Sequence, residues 1–473
     1  MFEVALLVLI VLAGTYMAWN IGANDVANAM GTSVGSGALT LKQAVVIAAI
    51  LEFAGAFFFG SHVSETIQQG IIDSDIFINQ PLTLVYGMLS ALLAAGIWLQ
   101  IASYNGWPVA TTHTIVGSLV GFGAIVGGIE AVNWETVTFI ATSWVLSPLA
   151  GGIVSYLLFN FLRKKIFYAY NPVVATKKLI PYLVFCFATS LALIMLYKGL
   201  TNIHLELNFF QAILLSSIIG LISALISFLA VKKISPPLIK QRTEAEYHPE
   251  VSNQLEKARR HLQQVQLVSR GAIQYQASEL LNEIESLSHS LKQREQDGRE
   301  SAEYAIVEKI FGYLQVCSAC FMAFAHGAND VANAIGPLAA AIGILTTGVV
   351  ASHAYIPTWT LGLGGLGIVV GLATWGWRVI ETIGKKITEL TPTRGFSAEF
   401  GAAVTILFAS RLGMPISTTH TLVGSVIGVG LARGIEALDL TTTRYIVTSW
   451  IVTIPAGALI TIVIYYLIKA MFG

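Results

Sequence analysis

One octapeptide occurs twice in this chain: Gly22-Ala-Asn-Asp-Val-Ala-Asn-Ala29 returns unchanged as Gly327-Ala-Asn-Asp-Val-Ala-Asn-Ala334, 305 residues later. Other pairs follow in the same order. Pro108-Val-Ala-Thr-Thr-His-Thr-Ile-Val-Gly-Ser118 returns as Pro415-Ile-Ser-Thr-Thr-His-Thr-Leu-Val-Gly-Ser425 at an offset of 307, and Gly128-Ile-Glu-Ala131 and Thr142-Ser-Trp144 return at 306. Matches in constant order and near-constant spacing mark a duplicated unit of about 150 residues. Any fold must therefore accommodate two copies of one architecture.

The medium in which they fold follows from composition. Of the 473 residues 55% are hydrophobic and 11% charged, where a soluble domain carries about a quarter charged residues. The formal net charge is 0, which excludes a basic surface for nucleic acid, and three cysteines (Cys186, Cys317, Cys320) exclude a disulfide scaffold. Apolar runs of about 18 or more residues read as spanning helices. They fall near residues 3 to 20, 43 to 61, 83 to 104, 109 to 128, 135 to 162, 179 to 197, 208 to 231, 307 to 326, 359 to 380, 398 to 411, 415 to 432 and 442 to 471. The expected fold is thus an all-α polytopic membrane protein with about 12 transmembrane segments. The stretches at 109 to 128 and 415 to 432, broken by Gly and Pro and preceded by polar residues, read as re-entrant or discontinuous elements. The run from Val4 to Trp19 lacks a basic flank and is expected to be a retained helix.

Basic residues beside the membrane set the orientation. Lys42 is the only one before Arg163, after which Arg163, Lys164, Lys165, Lys177 and Lys178 come together, and Lys232, Lys233, Lys240 and Arg242 follow the next helical pair. Placing these clusters in the cytoplasm puts Lys42, Lys385 and Lys386 inside and both termini outside. The charge-dense stretch from 232 to 309 holds 24 of the 54 charged residues. It leaves the membrane at Ser235, Pro236 and Pro237, and its Leu255, Leu262, Val265, Leu280, Ile284 and Leu287 recur at helical spacing. One or two amphipathic cytoplasmic helices are expected there, as a linker or as a regulatory or oligomerising module. The division is then 1–162, a first membrane repeat; 163–231, two connecting helices; 232–306, a cytoplasmic helical loop; and 307–473, a second repeat. With seven crossings between the starts of the copies, an odd number, the second is inverted. Inverted repeats bring equivalent residues to a common site near the midplane, as in many secondary transporters.

The repeated residues are polar where lipid-facing helices would be apolar. Asn24, Asp25 and Asn28, with Asn329, Asp330 and Asn333, are expected at or just beyond helix ends, each trio projecting over one face. A buried aspartate costs about 2.5 to 3.5 kcal/mol on insertion scales unless neutralised. A hard cation suits these oxygens, and Gly22 and Gly327 permit local unwinding that frees carbonyls. Thr111, Thr112 and Thr114, and Ser417, Thr418, Thr419 and Thr421, follow prolines that favour first helical turns, where hydroxyls and free N–H groups suit an anion. Neither motif contains Lys or Arg, and Arg411 is the only one close by. An oxyanion held there must be neutralised by helix ends and co-bound cations, so that its binding depends on theirs.

The twin octapeptide with the doubled Thr-Thr-His-Thr resembles the PiT-type inorganic phosphate transporter family, over both membrane halves. The resemblance implies a cation-coupled importer of inorganic phosphate, driven by Na⁺ or H⁺, with no cofactor and no enzymatic activity, in a plasma or bacterial inner membrane with the central loop cytoplasmic. It implies phosphate contacts from Asp25, Asn28, Thr111, Thr112, Asp330, Asn333, Ser417, Thr418 and Thr419. It assigns coupling cations to Asn24, Asp25, Asn329, Asp330, Glu52 and Glu399. Ala110 stands where the second copy has Ser417, so the two hairpins need not contribute equally. Oligomeric state is open, a homo-oligomer included. His113 and His420 are expected to pack and hydrogen-bond, and the Cys317-Ser-Ala-Cys320 pair to pack. Two other classes stay open: an intramembrane hydrolase built on the aspartates and histidines, and a passive channel.

Overall fold

A computed structural model of the protein describes residues 2–196, 207–233, 250–298, 302–350, 356–377, 379–380 and 390–472. Ser235, Pro236, Pro237, Lys240, Arg242, Lys385 and Lys386 lie outside them. The described residues are almost wholly helical, with a single β-bridge between Ile72 and Val132. The first half runs α1 (Phe2–Gly35), α2 (Leu41–Phe59), α3 (Ser61–Gln69), α4 (Pro81–Tyr104), α5 (Thr111–Phe122) and α6 (Trp134–Leu162), followed by α7 (Pro172–Leu196) and α8 (Phe209–Lys232). Two polar helices, α9 (Glu250–Val268) and α10 (Ala272–Gly298), precede α11 (Ala302–Asp330), α12 (Ala332–Thr347), α13 (Thr358–Thr374), α14 (Pro392–Arg411), α15 (Thr418–Arg433) and α16 (Leu440–Phe472). Among the described residues eight helices, counting α11 and α12 as one, are long and apolar enough to cross a membrane.

Two features differ from expectation. The first octapeptide does not end a helix, whereas Asp330 of the second is the last residue of α11. α1 continues unbroken through Gly22–Ala29 to Gly35, and the second copy is interrupted only at Val331, between α11 and α12. The glycines therefore serve close approach rather than unwinding: a Cβ on Gly22 would lie 1.9 Å from the carbonyl oxygen of Ile368 in α13, and one on Gly327 would lie 2.1 Å from that of Glu52 in α2. Secondly, α5 and α15 are short. At about 1.5 Å rise per residue, the 12 residues of α5 and 16 of α15 fall short of a core roughly 30 Å thick. Each packs back on the preceding long helix, α4 or α14, as a hairpin.

Both hairpins turn in the same way. Gly106 and Gly413 adopt positive φ (68° and 66°), and the next amide reaches back, Trp107 N–H to Ala102 O at 2.9 Å and Met414 N–H to Ala409 O at 3.0 Å. That is a glycine-terminated helix end, and it aims the following helix back along its predecessor.

Packing exchanges partners between the copies. α1 lies against α13, and α11 against α2; α5 lies against α16, and α15 against α6. Gly55 and Gly371 repeat the pattern, approaching Phe324 O and Trp19 O respectively. These contacts align α2 with α13 at an offset of 316, since Glu52 and Ile368 occupy corresponding places. The α7–α8 pair packs at the periphery, and α8 turns Phe210 (81% exposed) and Leu214 (65%) outward, as a lipid-facing surface requires. α9 and α10 pair with each other, joined by Arg259–Glu285 at 3.8 Å and by Gln266 Nε2 donating to Ser278 Oγ. This hairpin touches the membrane helices through Arg260, whose Nη1 is 3.3 Å from Glu436.

Candidate functional site

α1, the end of α11, the start of α12 and the first turns of α5 and α15 converge on one polar cluster inside an apolar bundle. Asp25, Asn28, Asp330, Asn333, Thr111, Thr112, Thr418 and Thr419 are all 2% exposed or less. The two sequence motifs are interleaved, not separate. Asn28 Nδ2 donates to Thr419 Oγ1 (2.8 Å) across the copies and to its own neighbour Asp25 Oδ1 (2.9 Å). Asn333 Nδ2 donates to Thr111 Oγ1 (3.2 Å) and Thr112 Oγ1 (3.3 Å) of the other copy. Thr418 Oγ1 donates to Asp330 Oδ2 at 2.7 Å, and Thr419 Oγ1 to Asp25 Oδ1 at 3.2 Å. The separate cation motif and anion motif expected from sequence are thus one cluster, in which hydroxyl donors face carboxylates.

The remaining expected site residues divide into supporting roles. Asn24 Nδ2 donates to Ser103 Oγ (3.0 Å) and to Trp107 O (3.1 Å), while Asn329 Nδ2 donates to Ser410 Oγ (2.9 Å) and to Met414 O (3.2 Å). Each first asparagine so ties its helix to the hairpin turn of its own copy. Ser417 caps α15 by accepting from His420 N at 3.1 Å, a bond that Ala110 cannot make for α5. His113 Nδ1 lies 3.4 Å from Trp450 O and His420 Nδ1 3.3 Å from Trp144 O, the rings 4.3 Å apart; this is the packing expected of them.

Glu399 lies in α14 beside another face of α1. Its Oε1 accepts from Thr32 Oγ1 (2.5 Å), Ser33 Oγ (2.5 Å) and Gln315 Nε2 (3.3 Å), and its Oε2 from Ser318 Oγ (2.5 Å). The repeat places only apolar residues at the corresponding positions, Leu92, Pro337, Leu338, Ile10 and Ala13. Glu52 points at a residue that sequence reasoning passed over. His326 is fully buried, its Nδ1 3.3 Å from Glu52 Oε1 and its Nε2 3.1 Å from Asp330 Oδ2. It immediately precedes the second octapeptide, where the first copy has Ile21. That single ionisable exception to an otherwise exact repeat, one helical turn before Asp330, was the signal available.

Ligand atoms of Asp25, His326 and Asp330 lie within 4.8 Å of one another. Two buried carboxylates this close repel unless a positive charge lies between or beside them. One oxygen each of Asn24, Asp25, Asn28, Asn329, Asp330 and Asn333 is buried and accepts no hydrogen bond among the described residues. Buried acceptors are normally satisfied. These six oxygens, three from each copy, are of the hard donor type that suits a small hard cation.

An all-helical membrane bundle with duplicated carboxylate–amide–hydroxyl groups buried between its halves defines a membrane transporter for a small polar solute. The sequence profile of the Phosphate transporter family matches residues 21–461. The chain is 47% identical over 456 residues to the Arabidopsis thaliana protein named inorganic phosphate transporter 2-1, chloroplastic, covering 96% of this chain and 70% of that one. It is 44% identical over 473 residues to a protein named as a phosphate permease from Chlamydia pneumoniae, covering 99% of both. A solved structure, "The sodium-dependent phosphate transporter", superposes with a TM-score of 0.78 at 37% identity, covering 98% of this chain and 99% of that one. The chain belongs to the phosphate transporter family. It is an integral membrane protein that transports phosphate, and not an enzyme.

Proposed function

We propose that this transporter imports inorganic phosphate by symport with cations, Na⁺ or H⁺, and that the interleaved cluster is where both bind. The observation that carries the reading is the set of six buried oxygens without donors, four from amides and one from each of the two carboxylates. Cations would bind at Asp25 and Asp330 with the amide oxygens of Asn24 and Asn329. Thr111, Thr112, Ser417, Thr418 and Thr419, with Asn28 and Asn333, would give phosphate hydroxyl, amide and helix-terminal N–H donors. Thr418 and Thr419 now donate to the carboxylates, so cations that engage those carboxylates free the hydroxyls for phosphate. Anion binding then rises with cation occupancy, and by linkage the reverse.

In this scheme Glu52 acts at the cation site through His326, which supplies positive charge next to Asp330 when both its nitrogens donate. Glu399, already accepting four hydrogen bonds, would serve a cation in a second place, its hydroxyl neighbours turning their oxygens toward the ion. The sodium-dependence printed for the solved relative favours Na⁺.

The architecture we propose is twelve membrane elements in two inverted repeats, 1–162 and 307–473, with 163–231 connecting and 232–306 cytoplasmic. The exchanged packing of α1 on α13 and of α11 on α2 supports the pairing of inverted copies. Arg163 Nη1 donates to Ala432 O (2.6 Å), and Arg260 of the polar hairpin pairs with Glu436, which supports one common, cytoplasmic face for all four. Relative motion of the halves would expose the closed cluster to either side.

Labelled phosphate uptake into proteoliposomes under separately imposed sodium and proton gradients tests the reading. We expect accumulation against the phosphate gradient that collapses when the driving cation gradient is dissipated. Uptake that only follows phosphate's own gradient would identify a channel and overturn symport.

A further inference from the structure

Among its described residues, the α9–α10 hairpin carries its most exposed apolar side chains at its turn. Ser269 N–H donates to Val265 O at 3.0 Å to close α9, Gly271 adopts a positive φ of 67°, and Tyr275 N–H donates to Gly271 O at 3.1 Å to open α10. Around this turn Val265, Leu267, Val268, Ile273 and Tyr275 are all exposed. Leu267 (84%) and Val268 (86%) stand further out than the lipid-facing Phe210. Apolar side chains gathered at one end of an otherwise polar hairpin mark a surface that something covers.

The lie of the hairpin brings that end to the membrane. Gln266 opposite Ser278 and Arg259 opposite Glu285 set the register, which puts Arg260 level with Ile284. From Ile284 to Gly298, just before α11 begins at Ala302, runs about 21 Å of helix at about 1.5 Å per residue. α11 then joins the bundle at Val307 and Ile310, which pack in one cluster with Leu162 and Ile166, beside Arg163. Arg163 in turn holds Ala432 O, one helical turn before Glu436. Yet Arg260 Nη1 is 3.3 Å from Glu436. A hairpin standing straight above α11 would hold these two side chains farther apart than they can reach, so it lies along the membrane face. On α9 the positions seven and eight residues beyond Arg260 share its side of the helix, and they are Leu267 and Val268. The side that reaches Glu436 therefore turns both aliphatics toward the bilayer. Leu431 and Ile435, exposed beside Glu436, mark the lipid boundary there.

Charge narrows the kind of lipid. From Lys257 to Ser278 the chain carries Lys257, Arg259, Arg260 and Arg270 and no acidic residue. Arg259 and Arg260 engage Glu256, Glu285 and Glu436, while Lys257, one turn before Arg260, and Arg270, in the turn itself, are exposed. Basic side chains beside exposed aliphatics and a tyrosine are how interfacial segments hold an anionic leaflet: apolar groups sink past the headgroups while the charges meet phosphates. We infer that the turn of the α9–α10 hairpin is a lipid-binding site. Leu267 and Val268, with Ile273 and Tyr275 beside them, enter the headgroup region, and Lys257 and Arg270 select anionic phospholipid. On the orientation proposed above, the leaflet is the cytoplasmic one. Anchored at its turn and at Arg260, the hairpin braces the far end of α15, whose first turn carries Thr418 and Thr419.

The test uses the full-length transporter, carrying Ser269→Cys in a background without native cysteines and labelled there with an environment-sensitive nitrobenzoxadiazole dye. It is reconstituted at one molecule per nanodisc, in phosphatidylcholine alone or mixed with phosphatidylglycerol, and lipids bearing a nitroxide near the headgroup report contact by quenching. We expect quenching at least about threefold stronger in the anionic discs. Leu267→Asp combined with Val268→Asp should abolish it. Lys257→Gln combined with Arg270→Gln should lower it to the level of neutral discs, and this pair carries the test if the aspartate pair does not purify as a monodisperse protein. Water-like emission without quenching in both lipids, or equal quenching in both, would overturn the inference. So would shielding of the dye only in discs that hold two transporters, since a second copy would then cover the turn. Nanodiscs offer the same lipid on both faces, so the outcome does not depend on the proposed orientation, which sided labelling in sealed vesicles decides separately.

Discussion

Asp25 and Asp330 carry the same sequence and the same neighbours into the site, yet they are not equivalent. Asp25 accepts from Asn28 and Thr419, whereas Asp330 accepts from Thr418 and faces His326. Each retains one buried oxygen without a donor. Hydrogen bonds to charged groups contribute about 1.5 to 3 kcal/mol, so Asp25→Asn or Asp330→Asn should lower Vmax/KM for phosphate by about 10- to 100-fold. The half-saturating cation concentration should rise alongside KM for phosphate in the same uptake assay. A variant in which one rises and the other stays fixed would break the linkage. The identities of these residues were legible in the sequence because duplication singled them out. His326 was harder to single out, because it lies in only one copy and its one signal is an ionisable residue where the first copy has Ile21.

At the scale of the helix, glycine explains why the motif's conformation was misread. Gly and Asn are poor helix formers and suggested a break, but tertiary packing overrides that preference when a neighbouring backbone comes close. Gly22 and Gly327 stand against carbonyl oxygens that cannot move without moving a helix. Gly22→Ala and Gly327→Ala should each cost about 1 to 3 kcal/mol, read as a fall of several degrees in the Tm of detergent-purified protein. Gly312→Ala in α11, where nothing lies within 4 Å of the added methyl, is the matched control and should leave Tm unchanged or slightly raised. Equal losses at all three would contradict close approach as the cause, since helix propensity alone favours alanine over glycine. The short α5 and α15 were partly legible, through Pro108 and Pro415, the polar residues before them and their interrupting glycines. α3 was not, since Ser61–Gln69 is short and polar on average and its helical periodicity rests on Val63 and Ile67 alone.

Across the whole molecule, duplication was visible in the sequence, and the exchange of partners between copies was not. Periodicity reports which face of a helix is buried, not against which helix, so the crossing of Asn28 to Thr419 and of Asn333 to Thr111 needed coordinates. The proposed inverted arrangement has a direct consequence for sidedness. Glu130 and Glu436 hold the same place in the two copies, at offset 306. In a background without the native cysteines, Glu130→Cys and Glu436→Cys should be labelled by a membrane-impermeant maleimide from opposite faces of sealed vesicles. Labelling from one face would mean parallel copies and would remove the common midplane site.

On the proposed mechanism, phosphate stays in a site without lysine or arginine ligands only while cations occupy Asp25 and Asp330. Calorimetric titration of phosphate into the purified transporter at pH about 9 tests it most directly, comparing sodium with a bulky organic cation at equal ionic strength. We expect saturable binding in sodium and at least about a hundredfold weaker binding without it. Equal phosphate affinity in both media would contradict it.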